Sequence, residues 1–286
     1  MNYRTESDFL GDKKVPQRAY YGVQTMRAID NFPITGQKVH PALVHAMAVV
    51  KKAAALANKD TGGMEAKIAD AIASAADDMM NGVLDGHFVV DPIQGGAGTS
   101  INMNANEVLA NRALEELGHK RGEYDIISPN DHVNLGQSTN DAFPTAIHIA
   151  ALDLLEKLLK EMSNLSAAFG EKAKEFGEMI KMGRTHLQDA VPICLGQEFA
   201  AYKSVIDRDI KRIGNSRGNL YPVNMGATAV GTGLNADPEY IKKVVKYLAE
   251  LSGHPITGVD SLVDGTPNTD CSMETSAALK ICMMNM

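Results

Sequence analysis

The stretch "PTAIHIAALDLLEKLLKEMSNLSAAFGEKAKEFGEMI", residues 144–180, decides the fold. Its large apolar residues recur with a 3-4-3-4 spacing that only Lys172 interrupts: Leu155, Leu158, Met162, Leu165, Phe169, Phe176 and Met179. This spacing marks one face of an α-helix, and Pro144 stands where a first-turn proline is tolerated. Such a helix is on the order of 50 Å long at ~1.5 Å per residue. We therefore expect it to pack against other long helices, in this chain or in neighbouring copies.

A second helical pattern follows in the chain. Its apolar residues are Leu195, Phe199, Tyr202, Ile206, Ile210 and Ile213. We expect a helix here that packs antiparallel against the first. The segment "KMGRTHLQDAVP" (181–192) is then the loop between them.

The earlier part of the chain is also helical in pattern. Residues 41–59 ("PALVHAMAVVKKAAALANK") and 64–84 ("MEAKIADAIASAADDMMNGVL") predict amphipathic helices, and a further helix is expected to begin near Asn104. Alanine, leucine, methionine, lysine and glutamate dominate these segments, and tryptophan is absent. The sequence therefore predicts a mainly α protein.

Composition restricts the class of protein. The chain has 286 residues, 44% of them hydrophobic, and a formal net charge of −7 without any basic run, which argues against nucleic acid as a partner. No stretch approaches the roughly 20 apolar residues of a membrane span, and "MNYRTESDFLGDKK" at the N-terminus lacks the apolar region of a signal peptide. The three cysteines have neither metal-ligand nor disulfide-framework spacing. We expect a cytoplasmic protein that does not bind membranes.

Four polar clusters fall at junctions between predicted elements. They are "GGAGTS" (95–100), "PNDHVNLGQSTND" (129–141), "GRTHLQDA" (183–190) and "GATAVGTGLN" (226–235). The last contains "GTGLNA" (231–236), which matches a loose dinucleotide-binding pattern, but no apolar strand precedes it and no strand–helix alternation surrounds it.

The side chains of these clusters are suited to holding a carboxylate. The candidate set of uncharged donors is Thr99, Ser138, Thr139, Asn140 and Thr185, together with His186. Several such donors can hold an anion without a buried opposite charge, and helix N-termini add partial positive charge at the same place. The alternative is local helix capping, which any one cluster alone favours. His186 stands in a polar segment and can orient or polarise a bound group, whereas His132 and His148 are expected to be structural.

These motifs resemble the aspartase/fumarase superfamily. The resemblance rests on "GGAGTSINMNANEVLANRALE", "PNDHVNLGQSTNDAFPT", "GRTHLQDAVP", "GATAVGTGLN" and an N-terminal segment that begins at Arg4. It implies an N-terminal helical lyase domain, residues 1–138, followed by part of a long central helical bundle, residues 139–286. It also implies a homotetramer in which three subunits contribute to each site.

Within that superfamily, "GAGTS" (96–100) and "QSTND" (137–141) look like the aspartate ammonia-lyases. The resemblance implies reversible removal of ammonia from L-aspartate to give fumarate, without a cofactor or metal. Thr99, Ser138 and Thr139 would contact the carboxylate next to the carbon that loses a proton. Asn140, Thr185 and His186 would contact the α-carboxylate and the amino group, with His186 polarising the latter.

Three departures from the family pattern leave alternatives open. The family's glycine-serine-serine loop, which carries the serine base, does not occur in residues 1–286, and neither does the small C-terminal domain. Ser128 stands where the family generally has histidine, which puts a secondary carboxylate site in doubt. The final "METSAALKICMMNM" (273–286) stops in mid-pattern, as expected of a truncated chain that is inactive alone. The alternatives are a class II fumarate hydratase and an inactive helical subunit.

Overall fold

The structure is a computed structural model that describes residues 2–96 and 98–286. The chain divides into two compact units, Met1–Ala151 with Tyr221–Asn268, and Leu152–Leu220 with Thr269–Met286. Helices dominate both units, so the predicted mainly α class is confirmed. The domain boundary after residue 138 stays a prediction.

The first unit begins with a β-hairpin, β1 (Tyr3–Asp8) and β2 (Gly11–Pro16), whose strands pair antiparallel. Its helices are α1 (Val23–Asn31), α2 (Pro41–Asp60), α3 (Ala66–Met80), α4 (Thr99–Glu116) and α7 (Pro238–Ser252). The strands β5 (Pro222–Val223) and β6 (Thr257–Gly258) form a short parallel pair. A further helix, α5 (Thr139–Glu175), begins in this unit.

Helix α2 forms the centre of the first unit. Pro41 occupies its first turn, where the missing N–H costs nothing, and the ring Nδ1 of His40 accepts from the N–H of Ala42. Most of its alanine and valine side chains are buried, and the helix packs against α3 and α7. Small side chains allow this close helix packing. Helix α2 also lies beneath the turn that precedes α5, since its Lys51 contacts Asn134 and Gln137.

The predicted helix boundaries need two corrections in this unit. The helix predicted over 64–84 spans only Ala66–Met80, because the chain turns at Gly82 with a φ of 77°. The helix predicted to begin near Asn104 begins five residues earlier, at Thr99. Gly98 precedes it with a φ of 90° and a ψ of 21°, so the hydroxyl residues after it form the first helical turn.

The long helix α5 also differs from its prediction over 144–180. It begins at Thr139 and ends at Glu175, so Pro144 lies in its second turn rather than its first. Proline has no N–H to donate to the carbonyl of Asn140, one turn earlier. The side chain of Asn224 donates to that carbonyl instead, at 3.0 Å, which allows the helix to start before the proline.

In the second unit, the end of α5 contacts α6 (Leu195–Arg217) through aromatic side chains, and α8 (Asp270–Asn285) packs against α6. The ring of Phe176 lies 5.4 Å from that of Phe199, and the ring of Phe169 lies 5.7 Å from that of Tyr202. Residues at and just after the end of α5 thus face residues early in α6, which confirms the predicted antiparallel pairing.

The segment 181–192, predicted as a loop, is mostly a β-hairpin. Its strands are β3 (Ile180–Thr185) and β4 (Gln188–Cys194), with Thr185 opposite Gln188. The prediction was wrong because the polar residues here follow no clear alternation, so neither strand has an apolar face. In the described residues, no helix combines the length and apolarity needed to cross a membrane.

Candidate functional site

Three of the predicted site residues form the turn into α5. The Oγ of Ser138 accepts from the N–H of Asn140 at 3.2 Å, and the Oγ1 of Thr139 accepts from the Nδ2 of Asn102 at 3.0 Å. Both hydroxyl oxygens are thus occupied as acceptors by the protein, and each hydroxyl keeps its own proton to donate. All three side chains are half-buried. The turn therefore presents hydroxyl donors at the N-terminus of a long helix, where partial positive charge gathers.

Thr99 lies at the first position of α4, exposed, in the same unit. The glycine before it packs directly on α5: a Cβ added to Gly98 would lie 2.4 Å from the ring of Phe143. Thr99 therefore belongs with the turn that holds Ser138, Thr139 and Asn140. The positive ends of α4 and α5 meet here, which is a favourable arrangement for an anion.

The glycine-rich loop "GATAVGTGLN" is hydrogen-bonded to the start of α5. The carboxylate of Asp141, fully buried, accepts from the main-chain N–H of Ser138, Gly226 and Thr228, at 2.9 to 3.1 Å. Burial raises the pKa of Asp141, while these three donors favour its ionised form. The Nδ2 of Asn140 donates to the carbonyl of Ala229 at 2.7 Å. This loop therefore fixes the orientation of the Asn140 side chain, which is predicted to bind substrate.

A buried lysine lies beneath the turn. The Nζ of Lys51, on α2, donates at 2.9 Å to the Oδ1 of Asn134 and at 2.9 Å to the Oε1 of Gln137. The residue has no exposed surface, and the charge it faces is that of Asp141. Burial lowers the pKa of Lys51 to about 7.

Sequence reasoning missed Lys51, although a signal was present. Val44, Met47, Ala48, Lys51 and Ala55 share one helical face by their i, i+3, i+4 and i+7 spacing. A lysine inside an otherwise apolar stripe must find polar partners within the core. The next residue, Lys52, is only part-buried and pairs with the carboxylate of Asp77 on α3. Asn102, Asn134 and Gln137 were missed as well, because amides give no charge pattern.

Thr185 and His186 lie in the second unit, at the tip of the hairpin formed by β3 and β4. His186 and Leu187 are the two residues between the paired strand ends, with φ values of 49° and 62°. Two-residue hairpins of type I′ need a positive φ at both positions, which usually selects asparagine or glycine. A histidine and a leucine here carry backbone strain, a feature that clusters at functional sites. Both side chains are exposed.

The structure thus groups the six predicted residues in two sets. Thr99 and the turn of Ser138, Thr139 and Asn140 lie together on the first unit, whereas Thr185 and His186 lie together on the second. The first set can bind a carboxylate through hydroxyl and amide donors and two helix N-termini. The second set presents a hydroxyl and an imidazole at the tip of an exposed hairpin.

Ser128 and His132 have local structural roles. The hydroxyl of Ser128 accepts from the N–H of Asp131 at 3.0 Å and caps the π-helical turn of Pro129–Val133. The Nδ1 of His132 accepts from the N–H of Ser128 at 2.9 Å. The expectation that His132 is structural is thereby supported. Across residues 2–96 and 98–286, no three His, Cys, Asp or Glu side chains gather in a group able to hold a metal ion.

Comparison with known proteins agrees with this geometry. A protein family described as Lyase matches residues 11–286. The chain is 64% identical over 284 residues to an aspartate ammonia-lyase from Bacillus subtilis and 48% identical over 288 residues to one from Escherichia coli K12. The matches cover 99% and 100% of this chain, and the chain spans about 60% of the length of these relatives.

Solved structures share the fold. A crystal structure of a fumarate lyase/delta crystallin from Brucella melitensis, bound to cobalt, matches with a TM-score of 0.97 and 44% identity, over 99% of this chain and 62% of that one. A class II fumarase from Schistosoma mansoni matches with a TM-score of 0.95 and 32% identity, over 99% and 63%. These findings confirm the resemblance stated from the motifs. The chain belongs to this lyase family.

Proposed function

We propose that this chain supplies the substrate-binding part of an aspartate ammonia-lyase, which reversibly removes ammonia from L-aspartate to give fumarate. The observation that carries this proposal is the 64% identity to the Bacillus subtilis aspartate ammonia-lyase over 284 residues, a span that includes all six site residues. The cluster of uncharged donors at the start of α5 supports it, because such donors can hold a carboxylate.

In this proposal, Thr99, Ser138 and Thr139 bind the carboxylate next to the carbon that loses a proton. That proton is very weakly acidic, and its removal places two negative charges on the carboxylate. Hydroxyl donors and helix N-termini that are fixed beforehand stabilise this charge as it develops. A single such donor contributes about 3–4 kcal/mol to transition-state stabilisation.

Asn140, Thr185 and His186 bind the other end of the molecule, the α-carboxylate and the amino group. The imidazole of His186 polarises the amine that leaves, and the strain of its turn favours a fixed orientation. No cofactor or metal takes part in the proposed reaction.

The proposed assembly is a cytoplasmic homotetramer in which each site combines residues of three subunits. Exposed leucines on α5 support association through this helix: Leu154 is 42% exposed and Leu158 is 36% exposed. Leucines at this spacing on a long helix are suited to a helical bundle between copies.

The proposal is tested by a chimera. Residues 1–286 replace the matching segment of the Bacillus subtilis relative, whose remaining part is kept. Fumarate formation from L-aspartate, followed by ultraviolet absorbance, is the expected result, with the unmodified relative as control. The 286-residue chain alone is expected to release no ammonia, because the serine-base motif of the family lies outside it. A folded chimera that forms no fumarate from L-aspartate contradicts the proposal, and one that forms none from L-malate either favours an inactive helical subunit.

A second candidate is a class II fumarate hydratase. The observation that favours it is the TM-score of 0.95 to the Schistosoma mansoni class II fumarase, since the two reactions need the same scaffold. Thr139 favours the ammonia-lyase; Ala97, the other residue that does so in sequence, lies outside the described residues. A chimera that forms fumarate from L-malate only, and none from L-aspartate, assigns the hydratase.

A further inference from the structure

Lys51 is the most unusual buried group outside the predicted site. Its ammonium has no exposed surface, and its two hydrogen-bond partners, the Oδ1 of Asn134 and the Oε1 of Gln137, are uncharged oxygens at 2.9 Å each. A methionine would fill the same space without a charge to desolvate. The hydrogen bonds that the amine donates therefore distinguish lysine from methionine at this position.

The two acceptors lie just before the proposed carboxylate-binding turn, Ser138–Asn140, in the chain. Asn134 and Gln137 both precede Ser138 within four residues. The Oδ1 of Asn134 also accepts from the Nδ2 of Asn102, and the same Nδ2 reaches the Oγ1 of Thr139 at 3.0 Å. A continuous set of hydrogen bonds therefore joins the lysine amine to the hydroxyl proposed to hold the substrate.

We propose that Lys51 is a positioning residue: from inside the core, its amine holds Asn134 and Gln137 so that Ser138 and Thr139 present their hydroxyls to a substrate carboxylate. The substrate part of this inference rests on the proposed function; the positioning part does not. Because Lys51 has no exposed surface, it acts through the turn and makes no contact with the substrate.

Hydrogen exchange of the 286-residue chain tests the positioning directly. Lys51→Met is expected to speed amide exchange in the peptide 134–141 by about tenfold or more, because the turn loses its internal donor. Lys52→Met is the matched control, since the ammonium of Lys52, the next residue on α2, pairs with Asp77 of α3 and not with the turn. Its exchange in 134–141 should stay within about twofold of the unmodified chain. A folded Lys51→Met chain with unchanged exchange overturns the proposal.

Two milder variants keep the test decisive if Lys51→Met does not fold. Gln137→Leu removes one acceptor of the amine, but also the donation of Gln137 to the carbonyls of Val133 and Leu135. Gln137→Glu removes the same donation and keeps the acceptor oxygens. The proposal predicts faster exchange in 134–141 for Gln137→Leu alone. Equal exchange in the two variants overturns it.

Kinetics in the chimera then separate the two claims. Lys51→Met should raise the KM for L-aspartate at least about tenfold, because the turn binds the substrate carboxylate, with Lys52→Met within about twofold. If Lys51→Met speeds exchange in 134–141 but the chimera with unmodified residues 1–286 has no lyase activity, the positioning role stands and the proposed function is refuted. Unchanged exchange and unchanged KM in an active Lys51→Met chimera refute the positioning role and keep the function.

Discussion

The side-chain amide of Asn224 donates, at 3.0 Å, to the main-chain carbonyl of Asn140. Residue 144 would normally donate to this carbonyl, but Pro144 has no N–H. The loop from Asn224 to Ala229 therefore replaces a missing helical hydrogen bond and, through Ala229, also holds the side chain of Asn140. One loop thus fixes both the backbone and the side chain of a proposed substrate-binding residue.

The first prediction concerns this replacement. Asn224→Ala should lower the free energy of unfolding by about 1–3 kcal/mol, because it leaves a part-buried carbonyl without a donor. In a Pro144→Ala background the cost should be smaller, since alanine supplies the N–H within the helix. Urea unfolding of the four chains gives the coupling energy. An equal cost in both backgrounds contradicts the explanation.

Sequence alone predicted the helical class and the antiparallel partner of α5. Periodicity gave the interior of α5, but its start depends on Asn224, which lies 80 residues away from Pro144 in the chain. Contacts between such distant residues leave no trace in a local pattern. The hairpin at 181–192 was missed for a related reason, since its strands bury little and so do not alternate.

The candidate site was predictable to a similar extent. Thr99 and Ser138 were predicted because hydroxyls near the start of a helix are conspicuous, although capping explains such residues equally well. Lys51 was not found, because a lysine doublet on a helix usually lies in solvent. The distinction between Lys51 and Lys52 requires knowing which face of α2 the core covers.

The second prediction concerns Gly98. An alanine here would place its Cβ 2.4 Å from the ring of Phe143 and force a non-glycine residue to a φ of 90°. Gly98→Ala should therefore lower the free energy of unfolding by about 2–4 kcal/mol. Gly214→Ala is the control, because Gly214 lies in α6 with no atom within 4 Å of its added Cβ. The control should stabilise by about 0.5–1 kcal/mol; similar losses in both variants would refute the packing argument.

The third prediction concerns pH. Because the folded-state pKa of Lys51 is lowered to about 7, the folded chain holds fewer protons than the unfolded chain between pH 7 and about 10. Stability from this group therefore rises with pH across that window, by at most about 1.4 kcal/mol per pH unit. Denaturant unfolding measures this: the free energy of unfolding of the unmodified chain minus that of Lys51→Met should increase from pH 7 to 10. A difference that is constant from pH 7 to 10 contradicts the assignment.

The fourth prediction concerns association. The exposed Leu154 and Leu158 on α5 should drive copies of the chain together, as large apolar patches do. Sedimentation velocity is expected to find oligomers of the unmodified chain. Replacing both leucines by lysine should shift the distribution toward monomer, with far-ultraviolet circular dichroism confirming that the variant folds. A monomeric unmodified chain would count against the proposed assembly.

The role of the Thr139 hydroxyl in binding the substrate is tested directly by the kcat/KM for L-aspartate of two matched chimeras, Thr139→Val and Thr145→Val. Both remove a hydroxyl from α5 at constant shape, but the buried Oγ1 of Thr145 has no hydrogen-bond partner among the described residues. If the hydroxyl of Thr139 stabilises the charged carboxylate, Thr139→Val lowers kcat/KM by about 100-fold or more, and Thr145→Val changes it by less than about twofold. Equal values for the two variants would contradict the account.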